Sequence, residues 1–296
     1  MGYSSMGWRT VVITRRAKLD LKMNYLVIRR DLNLERVYID EIQVLMIAST
    51  AISMTAALLN RLIQEKVKVI ICDEKYNPSG EIMPLYGSHN TSLRCRQQIG
   101  WNKDLQKLIW TELLREKINN QRRLLKTQGK EEHKLLESYV NELLLNDESS
   151  REGHAAKVYF NALFGNLFCR DDDSNINAAL DYGYAILLSA INRELVAMGY
   201  LTQFGIGHSN QFNPFNFSSD LIEPLRGLVD QIVVSMDHNN FTKEDKISLV
   251  DLLNREVKID GTVQHLSNAI RIYCKSICDA LTENNIEMIR LVEYEL

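Results

Sequence analysis

Residues 92–127, SLRCRQQIGWNKDLQKLIWTELLREKINNQRRLLKT, decide the fold class of this chain. Apolar side chains recur through the stretch at spacings that are typical of an α-helix. The residues on these repeating faces are Leu105, Leu108, Ile109, Leu113 and Leu124. The same kind of pattern returns over residues 131–145, 157–168, 175–197, 220–238, 243–255 and 263–284. The sequence therefore predicts that almost everything after residue 91 is helical.

The residues before this stretch have a different pattern, because Val, Ile and Tyr are concentrated in short runs between polar turn residues. These runs predict strands over residues 8–14, 25–29, 35–39, 43–47 and 67–72. A helix is predicted over residues 55–66 and turns over residues 76–90. The expected fold class is α+β, with a small β-rich domain over residues 1–90 followed by a larger all-α domain over residues 91–296.

The composition is that of an ordinary globular protein, since 45% of the 296 residues are hydrophobic and 25% are charged. A net charge of −3 argues against a protein that coats nucleic acid over its whole surface, although local basic patches are compatible with it. The five cysteines form no CxxC pair, which argues against a disulfide framework or a zinc ribbon. No apolar run is long enough to cross a membrane, so we expect a cytoplasmic protein.

Three segments in the second half contain side chains that can bind a metal ion. Glu152 lies in REGHAAKVYF, His208 lies in GIGHSNQFNPFNF, and both Asp220 and Glu223 lie in SDLIEPLRGLVD. Two or three carboxylates with one imidazole suit Mg²⁺ or Mn²⁺ better than a structural Zn²⁺. Ions held in this way usually act on phosphate esters. The pattern therefore favours a metal-dependent enzyme that acts on nucleic acid.

The spacing within the last segment supports this interpretation. Asp220, Glu223 and Arg226 follow one another at intervals of three, which places two carboxylates and a cation on one helix face. The guanidinium would stabilise phosphate charge beside a metal. Taken singly, the residues also have structural interpretations: His208 as a hydrogen-bonded residue, and Glu152 as a favourable charge at a helix N-terminus. Their joint occurrence is what favours a site.

Four segments in this order also carry a family resemblance: REGHAAKVYF, DDDSNINAALDYGYAILLSAINRELVAMGY, GIGH and FSSDLIEPLRGLVD. Together they resemble the CRISPR-associated integrase, the larger of the two near-universal proteins of CRISPR spacer acquisition in prokaryotes. The opening GWRTVVIT and the turn MPLYGSH are similar to the branch found in type II systems, so the resemblance covers effectively the whole chain. Two positions depart from the family pattern, with Asp181 in place of the usual Asn and Gly227 in place of the usual Pro.

The resemblance implies a role for each motif residue. Glu152, His208 and Glu223 would be the metal ligands. Asp220 would support them, and Arg226 would lie near the scissile phosphate. The expected nucleic-acid contacts near the site are Tyr159, Asn175, Asn177, Tyr182, Tyr184, Arg122 and Arg123. Further candidate cations form three clusters: Arg15, Arg16, Lys18 and Lys22; Arg94, Arg96, Lys103 and Lys107; and Arg115, Lys117, Arg122, Arg123, Lys126 and Lys130.

The implied activity is that of a metal-dependent DNA integrase and endonuclease, with Mg²⁺ or Mn²⁺ as its cofactor. Such an enzyme joins the 3′-hydroxyl ends of a short duplex to a CRISPR repeat by transesterification. The implied partners are double-stranded DNA, a second copy of the chain bound through residues 1–90, and a small ferredoxin-like protein. Two integrase dimers would bind one dimer of that protein in a heterohexamer. In the type II branch, a DNA-end-binding ring protein and the effector nuclease would also take part.

Two other functions are compatible with the sequence. A metal-dependent phosphodiesterase acting on branched DNA in repair would use the same ligands and would cleave strands without joining them. A DNA-binding scaffold with a degenerate site would do no chemistry, although all three implied ligands are present. No other enzyme class is favoured, because the chain has no GxSxG, Walker, HExxH or strand-linked GxGxxG motif.

Overall fold

A computed structural model of the chain describes residues 9–30, 33–74, 78–82 and 90–296. The chain separates into two units. The first comprises Met1–Thr91 with Val196–Gly199, and the second comprises Ser92–Leu195 with Tyr200–Leu296. The predicted strand residue Trp8, the predicted turn residues 76–77 and the MPLYGSH turn at residues 83–89 lie outside the described residues.

The described part of the first unit contains eight strands and one helix before residue 83. They are β1 (Arg9–Ile13), β2 (Ala17–Lys22), β3 (Tyr25–Arg30), β4 (Asn33–Tyr38), β5 (Ile42–Ile47), β6 (Ile52–Met54), α1 (Ala56–Gln64), β7 (Lys68–Cys72) and β8 (Pro78–Ile82).

One four-stranded sheet has the order β1-β5-β7-β8. β1, β5 and β7 are parallel, and β8 runs antiparallel to β7. All six residues of β5 are buried. A parallel strand that is buried on both faces is apolar along its whole length, which explains why IQVLMI shows little alternation.

A second four-stranded sheet has the order β4-β3-β2-β6. β2 and β3 form a hairpin through Met23 and Asn24, which both have positive φ (49° and 63°). α1 begins after Thr55, whose hydroxyl accepts a hydrogen bond from the Leu58 backbone at 3.3 Å. The core of the unit combines both sheets with α1 and includes Leu19, Leu26, Ile28, Leu45, Leu58, Leu62 and Val69.

Each predicted strand corresponds to an observed strand, but the prediction missed other strands. β2 and β6 were not predicted, because AKLDLK carries three charges and ISM is very short. The prediction of turns over residues 76–90 is wrong at Pro78–Ile82, which forms β8. Within the described parts of the chain, this strand pairs only with β7 and lies at the edge of its sheet, where proline and glycine are tolerated.

Most of the second unit is helical. The helices after residue 90 are α2 (Thr91–Ile99), α3 (Lys103–Thr127), α4 (His133–Glu142), α5 (Arg151–Phe164), α6 (Asn175–Ala197), α7 (Asn216–Ile222), α8 (Arg226–Val234), α9 (Lys243–Asp251) and α10 (Leu266–Glu283). Among the described residues, none of the helices combines the length and apolarity that crossing a bilayer would require.

The predicted helix over residues 92–127 is interrupted between α2 and α3. The side chain of Asn102 accepts hydrogen bonds from the backbone of Asp104 and Leu105 at 2.9 and 3.3 Å, so it caps the start of α3. The interruption leaves Trp101 only 5% exposed. Its ring lies 5.5 Å, between centroids, from the ring of Phe217. The break therefore places a large aromatic residue in the core.

The α+β class is confirmed, with a β-rich first part and a mostly helical second part. The second part is not wholly helical, because β9 (Glu256–Ile259), β10 (Thr262–His265) and β11 (Val292–Glu293) form a small antiparallel sheet in the order β10-β9-β11. Asp260 and Gly261 join the first two strands with positive φ (49° and 74°). An Asp-Gly pair between alternating residues is a hairpin signal, and it overrides the helix predicted from residue 263.

The predicted helix over residues 220–238 is also divided. α7 ends at Ile222, a 3₁₀ turn covers Glu223–Leu225, and α8 begins at Arg226. Pro224 lies in the turn, and its missing backbone N–H is compatible with the first turn of a helix but not with a helix interior. This break places Glu223 at the first position of the 3₁₀ turn.

Candidate active site

The candidate site is arranged along α3. On this helix, the ring of Trp110 contacts the ring of His208, with 5.3 Å between the centroids. Two turns further along, Lys117 forms ion pairs with both Glu152 and Glu223. Three motifs that are far apart in sequence therefore contact one helix.

Glu152 is placed by the start of α5. Its backbone N–H donates to Asp147 Oδ2 at 3.2 Å, and the neighbouring N–H of Arg151 donates to Asp147 Oδ1 at 2.7 Å. These bonds supply acceptors for N–H groups that a helix start leaves unpaired. The backbone of Asn146 donates to Thr111 Oγ1 on α3 at 2.8 Å. The start of α5 is thus attached to α3.

Glu223 lies in the 3₁₀ turn and is only 3% exposed. Arg226 donates to Glu223 Oε1 through Nε at 3.0 Å and through a terminal nitrogen at 2.9 Å. Lys117 Nζ lies 2.5 Å from Oε2. Burial raises the pKa of Glu223, but Arg226 and Lys117 together lower it to about 2. The carboxylate is therefore ionised at neutral pH.

Lys117 is itself 9% exposed and lies between the two carboxylates. Burial lowers the pKa of its ammonium, but Glu223 and Glu152 outweigh this effect and raise the pKa above the usual value. One turn along α3, Asn120 Nδ2 donates to the Pro224 carbonyl at 2.9 Å. This bond fixes the turn that carries Glu223 against the helix that carries Lys117.

His208 is oriented by Asp220, which has no exposed surface. Asp220 Oδ1 lies 2.7 Å from His208 Nδ1 and accepts the His208 backbone N–H at 2.8 Å. Oδ2 accepts the backbone N–H groups of Ile206 and Gly207 at 2.6 and 3.1 Å. A carboxylate only accepts, so Nδ1 carries the proton and Nε2 is left as a metal donor. The hydrogen bond with Asp220 raises the pKa of His208.

Two glycines, Gly205 and Gly207, allow the GIGH segment to pack closely against its neighbours. A Cβ on Gly205 would lie 2.3 Å from the His208 carbonyl oxygen and 2.7 Å from Asp220 Oδ2. A Cβ on Gly207 would lie 2.3 Å from the indole ring of Trp110. Only glycine permits these approaches, so both positions are needed to bring His208 against α3.

The composition of the loop after His208, with three Phe and three Asn in SNQFNPFNF, suits a loop that rests its aromatic rings on the core while its amides meet a backbone or a base. Phe217 is fully buried, whereas Phe212 is 84% exposed. The amide of Asn216 donates to the carbonyls of Gln203 and Asn210 at 3.1 and 2.9 Å, so it shapes the loop itself. The aromatic part of that interpretation holds for Phe217 and fails for Phe212.

The donor chemistry fits a hard divalent cation. The ammonium of Lys117 stands in for a cation between the carboxylates of Glu152 and Glu223, so this position accepts positive charge. His208 contributes a nitrogen whose tautomer is set by Asp220. Among the residues that the structure describes, no three His, Cys, Asp or Glu side chains lie close enough to form a complete metal site as they stand. Lys117 therefore occupies the position between the two carboxylates that a metal ion would take.

Asp230 is a further buried carboxylate next to this cluster. Asp230 on α8 accepts hydrogen bonds from the hydroxyls of Tyr159 and Tyr184, at 2.7 and 2.5 Å. Burial raises the pKa of Asp230 to about 6, an effect larger than the lowering by the two hydroxyls. The guanidinium of Arg226 lies over the Tyr184 ring, 4.5 Å from its centroid. This contact links Asp230 to the ion pairs around Glu223.

Three tyrosines that were expected to contact nucleic acid are buried in this structure. Tyr159 has no exposed surface, and its hydroxyl is bound to Asp230, so it supports α5 from inside. Tyr184 is 8% exposed and shares that acceptor. Tyr182 is buried against Phe241, with ring centroids 5.8 Å apart. These three tyrosines are packed in the protein rather than presented to a ligand.

The two predicted asparagines differ from each other. Asn177 is buried, and its amide donates to the carbonyls of Cys169 and Asp172, both at 2.8 Å, so it holds the turn before α6. The amide of Asn177 is therefore occupied within the protein in this structure, and its contact with DNA stays a prediction. Asn175 is exposed and donates to the Asn239 carbonyl at 2.7 Å. Its contact with DNA stays a prediction.

The predicted arginines are both partly occupied by the protein. Arg122 lies 3.8 Å from Glu137, and Arg123 donates to the Tyr294 carbonyl at 3.3 Å. Lys117, assigned to the same cationic cluster, is not on a solvated face at all but between two acids. DNA contacts by Arg122 and Arg123 stay predictions, whereas the interpretation of Lys117 as a surface cation is wrong.

Sequence reasoning missed Trp110 and Asp230, and it missed the position of Lys117 inside the site. The last of these had a signal: Lys117 follows Leu113 by four residues and precedes Leu124 by seven, so it shares their helix face. Lysine on an otherwise apolar stripe is rarely buried without a partner. The partners themselves could not be identified, because they come from distant segments.

The chain was compared with known proteins. The family model described as CRISPR associated protein Cas1 matches residues 10–255. The chain is 32% identical over 296 residues to the CRISPR-associated endonuclease Cas1 of Neisseria meningitidis serogroup C (strain 8013), with 97% of each protein covered.

Two solved structures have similar folds. A casposase bound to integration product aligns with a TM-score of 0.76 at 17% identity, covering 94% of this chain and 92% of that chain. A chain of a Cas6-RT-Cas1–Cas2 complex aligns with a TM-score of 0.74 at 17% identity, covering 96% of this chain and 36% of that chain. At these identities the likeness concerns the fold alone. Because the family model spans most of the chain and the Neisseria relative matches nearly all of it, this protein belongs to the CRISPR-associated Cas1 family.

Proposed function

We propose that this protein is a metal-dependent DNA integrase and endonuclease that inserts short duplex DNA into a CRISPR repeat. The observation that carries the proposal is the meeting of Glu152, Glu223 and the His208 loop along α3. The Neisseria relative is named an endonuclease, and a protein of similar fold is bound to an integration product, which supports the same kind of chemistry here.

Glu152, Glu223 and His208 would hold Mg²⁺ or Mn²⁺. When bound, such an ion polarises a phosphoryl oxygen and offsets the charge that builds up in the transition state. Glu223 enters this role ionised, because its two cationic neighbours lower its pKa to about 2. Asp220 keeps the proton of His208 on Nδ1, so Nε2 carries no proton and can donate its lone pair to the ion.

The reaction would be a direct transesterification. The 3′-oxygen of the incoming strand forms a new bond to phosphorus, and the bond to the 3′-oxygen of the repeat strand breaks. The proton of the attacking hydroxyl is lost to solvent, and the departing oxygen takes up a proton. With water as the nucleophile, the same site hydrolyses the strand, so integration and endonuclease activity share one set of residues.

Arg226 would stabilise the substrate phosphate. Its guanidinium is held by Glu223 and lies over the Tyr184 ring, so its position is defined on two sides. About a quarter of its side chain is exposed (28%), which leaves donor groups for a phosphate oxygen. We place Arg226 at the scissile phosphate for this reason.

The proposed assembly is a homodimer that binds double-stranded DNA together with a small ferredoxin-like partner. Dimerisation would use residues 1–90, and two dimers would flank one partner dimer. A structural relative occurs in a complex with Cas2, which supports a second adaptation protein as partner. A DNA-end-binding ring protein and a type II effector nuclease complete the proposed set.

A strand-transfer assay tests the function. Wild-type protein and His208→Ala are each mixed with a short duplex bearing 3′-hydroxyl ends, a supercoiled plasmid carrying a CRISPR repeat, the small partner and Mn²⁺. Joined product that requires Mn²⁺ and wild-type His208 is the expected result. Cleavage without joining would favour a repair phosphodiesterase, and DNA binding without any chemistry would favour a scaffold.

A further inference from the structure

Lys117 has an unusual position for a lysine. It is 9% exposed, and its ammonium contacts one carboxylate from α5 and another from the 3₁₀ turn. Together with Arg226, it balances the two negative charges of Glu152 and Glu223. A buried ammonium needs such partners, because an unpaired charge is strongly disfavoured inside a protein.

The position is set by bonds on both sides of Lys117 along α3. Six residues before it, Thr111 accepts the Asn146 backbone N–H at 2.8 Å, which attaches the start of α5. Three residues after it, Asn120 donates to the Pro224 carbonyl at 2.9 Å, which attaches the turn of Glu223. The ammonium is therefore held between the two carboxylates by the way in which three elements are joined.

We propose that Lys117 is an internal counter-ion of Glu152 and Glu223, and that a divalent cation binds only by displacing its ammonium from these carboxylates. The inference rests on the proposed function, because it takes both carboxylates as metal ligands. The oxygens that Lys117 contacts are the ones that a metal would use. An ammonium and a divalent ion within contact distance of the same oxygens would also repel each other strongly.

Two consequences follow for the protein itself. Lys117 keeps the two carboxylates together before a metal arrives, because without it their like charges would repel. It also weakens metal binding, because its contacts with both carboxylates are lost when the metal takes their oxygens. Replacing Lys117 by a neutral residue should therefore tighten metal binding and, at the same time, make the protein less stable in a chelator.

The test is a titration of the full chain with Mn²⁺, following free Mn²⁺ by its paramagnetic resonance signal. Wild type is compared with Lys117→Met and with Lys126→Met, an exposed lysine on the same helix that serves as the matched control. Lys117→Met should lower the Kd for Mn²⁺ by at least about tenfold. Lys126→Met should leave it unchanged.

Thermal unfolding in a chelator and in excess Mn²⁺ adds a second readout. Lys117→Met should have a lower Tm than wild type in the chelator and a larger rise in Tm on adding Mn²⁺. If Lys117→Met does not fold, Lys117→Gln replaces it, because an amide can still donate to the carboxylates without carrying charge.

The outcomes separate this inference from the proposed function. If Glu152→Gln and Glu223→Gln each lose Mn²⁺ binding while Lys117→Met and Lys117→Gln bind it no more tightly than wild type, the counter-ion role is wrong and the ligand set stands. If Glu152→Gln and Glu223→Gln bind Mn²⁺ as wild type does, the ligand assignment fails and takes the inference with it. If Lys117→Met and Lys117→Gln bind Mn²⁺ more tightly than wild type and Lys126→Met does not, the inference is supported.

Discussion

Glu223 and Asp230 are buried carboxylates seven residues apart, and their surroundings shift their pKa values in opposite directions. Glu223 faces the full positive charges of Lys117 and Arg226, which lower its pKa to about 2 despite burial. Asp230 is bound by two tyrosine hydroxyls, and burial raises its pKa to about 6. Neighbouring charges offset the loss of hydration, whereas two hydroxyl dipoles do so only in part.

The opposite pKa shifts give the two acids opposite effects on the pH dependence of stability. Glu223 contributes stability that is present above its unfolded pKa, near 4.5, and is lost as the pH falls through about 2. Asp230 behaves in the opposite sense: its contribution is present below its unfolded pKa, near 3.8, and is lost as the pH rises through about 6. A carboxylate that binds a metal must be ionised, and Glu223 stays ionised through the pH range in which Asp230 takes up its proton.

Removing the charge of Glu223 should have the largest effect. Glu223→Gln keeps the shape of the side chain but leaves Lys117 and Arg226 buried with one carboxylate fewer. We expect the free energy of unfolding at pH 7 to fall by about 3–5 kcal/mol and Mn²⁺-dependent DNA cleavage to be lost. Urea unfolding in a chelator and a nuclease assay measure the two effects.

The control for this prediction is Glu112→Gln. Glu112 is 43% exposed and lies 3.3 Å from Arg115, so it forms a surface ion pair on the same helix as Lys117. Its loss should cost less than about 1 kcal/mol. Equal losses of unfolding free energy in the two variants would show that burial does not raise the cost of removing the charge of Glu223.

Asp230→Asn should reveal the second acid through the pH dependence of stability. Asparagine is neutral at every pH, so the variant does not lose the contribution that wild type loses between pH 4 and pH 7. Because the pKa of Asp230 is raised to about 6, the stability of the variant relative to wild type should rise by about 2 kcal/mol over this range. Urea unfolding at several pH values tests the slope, and a constant difference would contradict the shifted pKa.

Asp220→Asn extends the comparison to an acid that is bound mainly by backbone N–H groups. The substituted amide turns a donor toward donors of the Ile206–His208 segment, which should cost about 2 kcal/mol. DNA cleavage should fall by about 10–100-fold, because His208 loses the partner that sets its tautomer. Cleavage at the wild-type rate in a destabilised variant would show that Asp220 stabilises the loop without orienting the imidazole.

Tyr159→Phe should have the smallest effect. The substitution removes one of the two hydroxyls that bind Asp230, which should cost about 1 kcal/mol of unfolding free energy. The loss should be smaller at pH 4 than at pH 7, because the hydroxyl mainly stabilises the ionised carboxylate. Tyr139→Phe, on the partly exposed face of α4, serves as the matched control and should change little. A loss that does not vary with pH would show that the hydroxyl only fills space.

The sequence predicted best those helices and strands whose formation depends mainly on residues close together in the chain. The helix over Asn175–Ala197 was predicted with its observed bounds, because periodicity and composition agree along its length. β8 and the β9–β10 hairpin were missed, since their pairing depends on a neighbouring strand or on an Asp-Gly turn inside a helical pattern. The full burial of Tyr159 was not predicted for a related reason: burial is a property of the packed protein and not of the motif.

The sequence alone determined the α+β class, the order of its two parts and the motif residues that identify the family, because these depend on composition, periodicity and short spacings. Only the tertiary structure decided what surrounds each charge. It placed Lys117 between Glu152 and Glu223, and it gave Glu223 and Asp230 opposite pKa shifts. The physical reason is that burial and Coulomb interactions depend on distances in space, and here those distances are set by contacts between residues up to about a hundred positions apart.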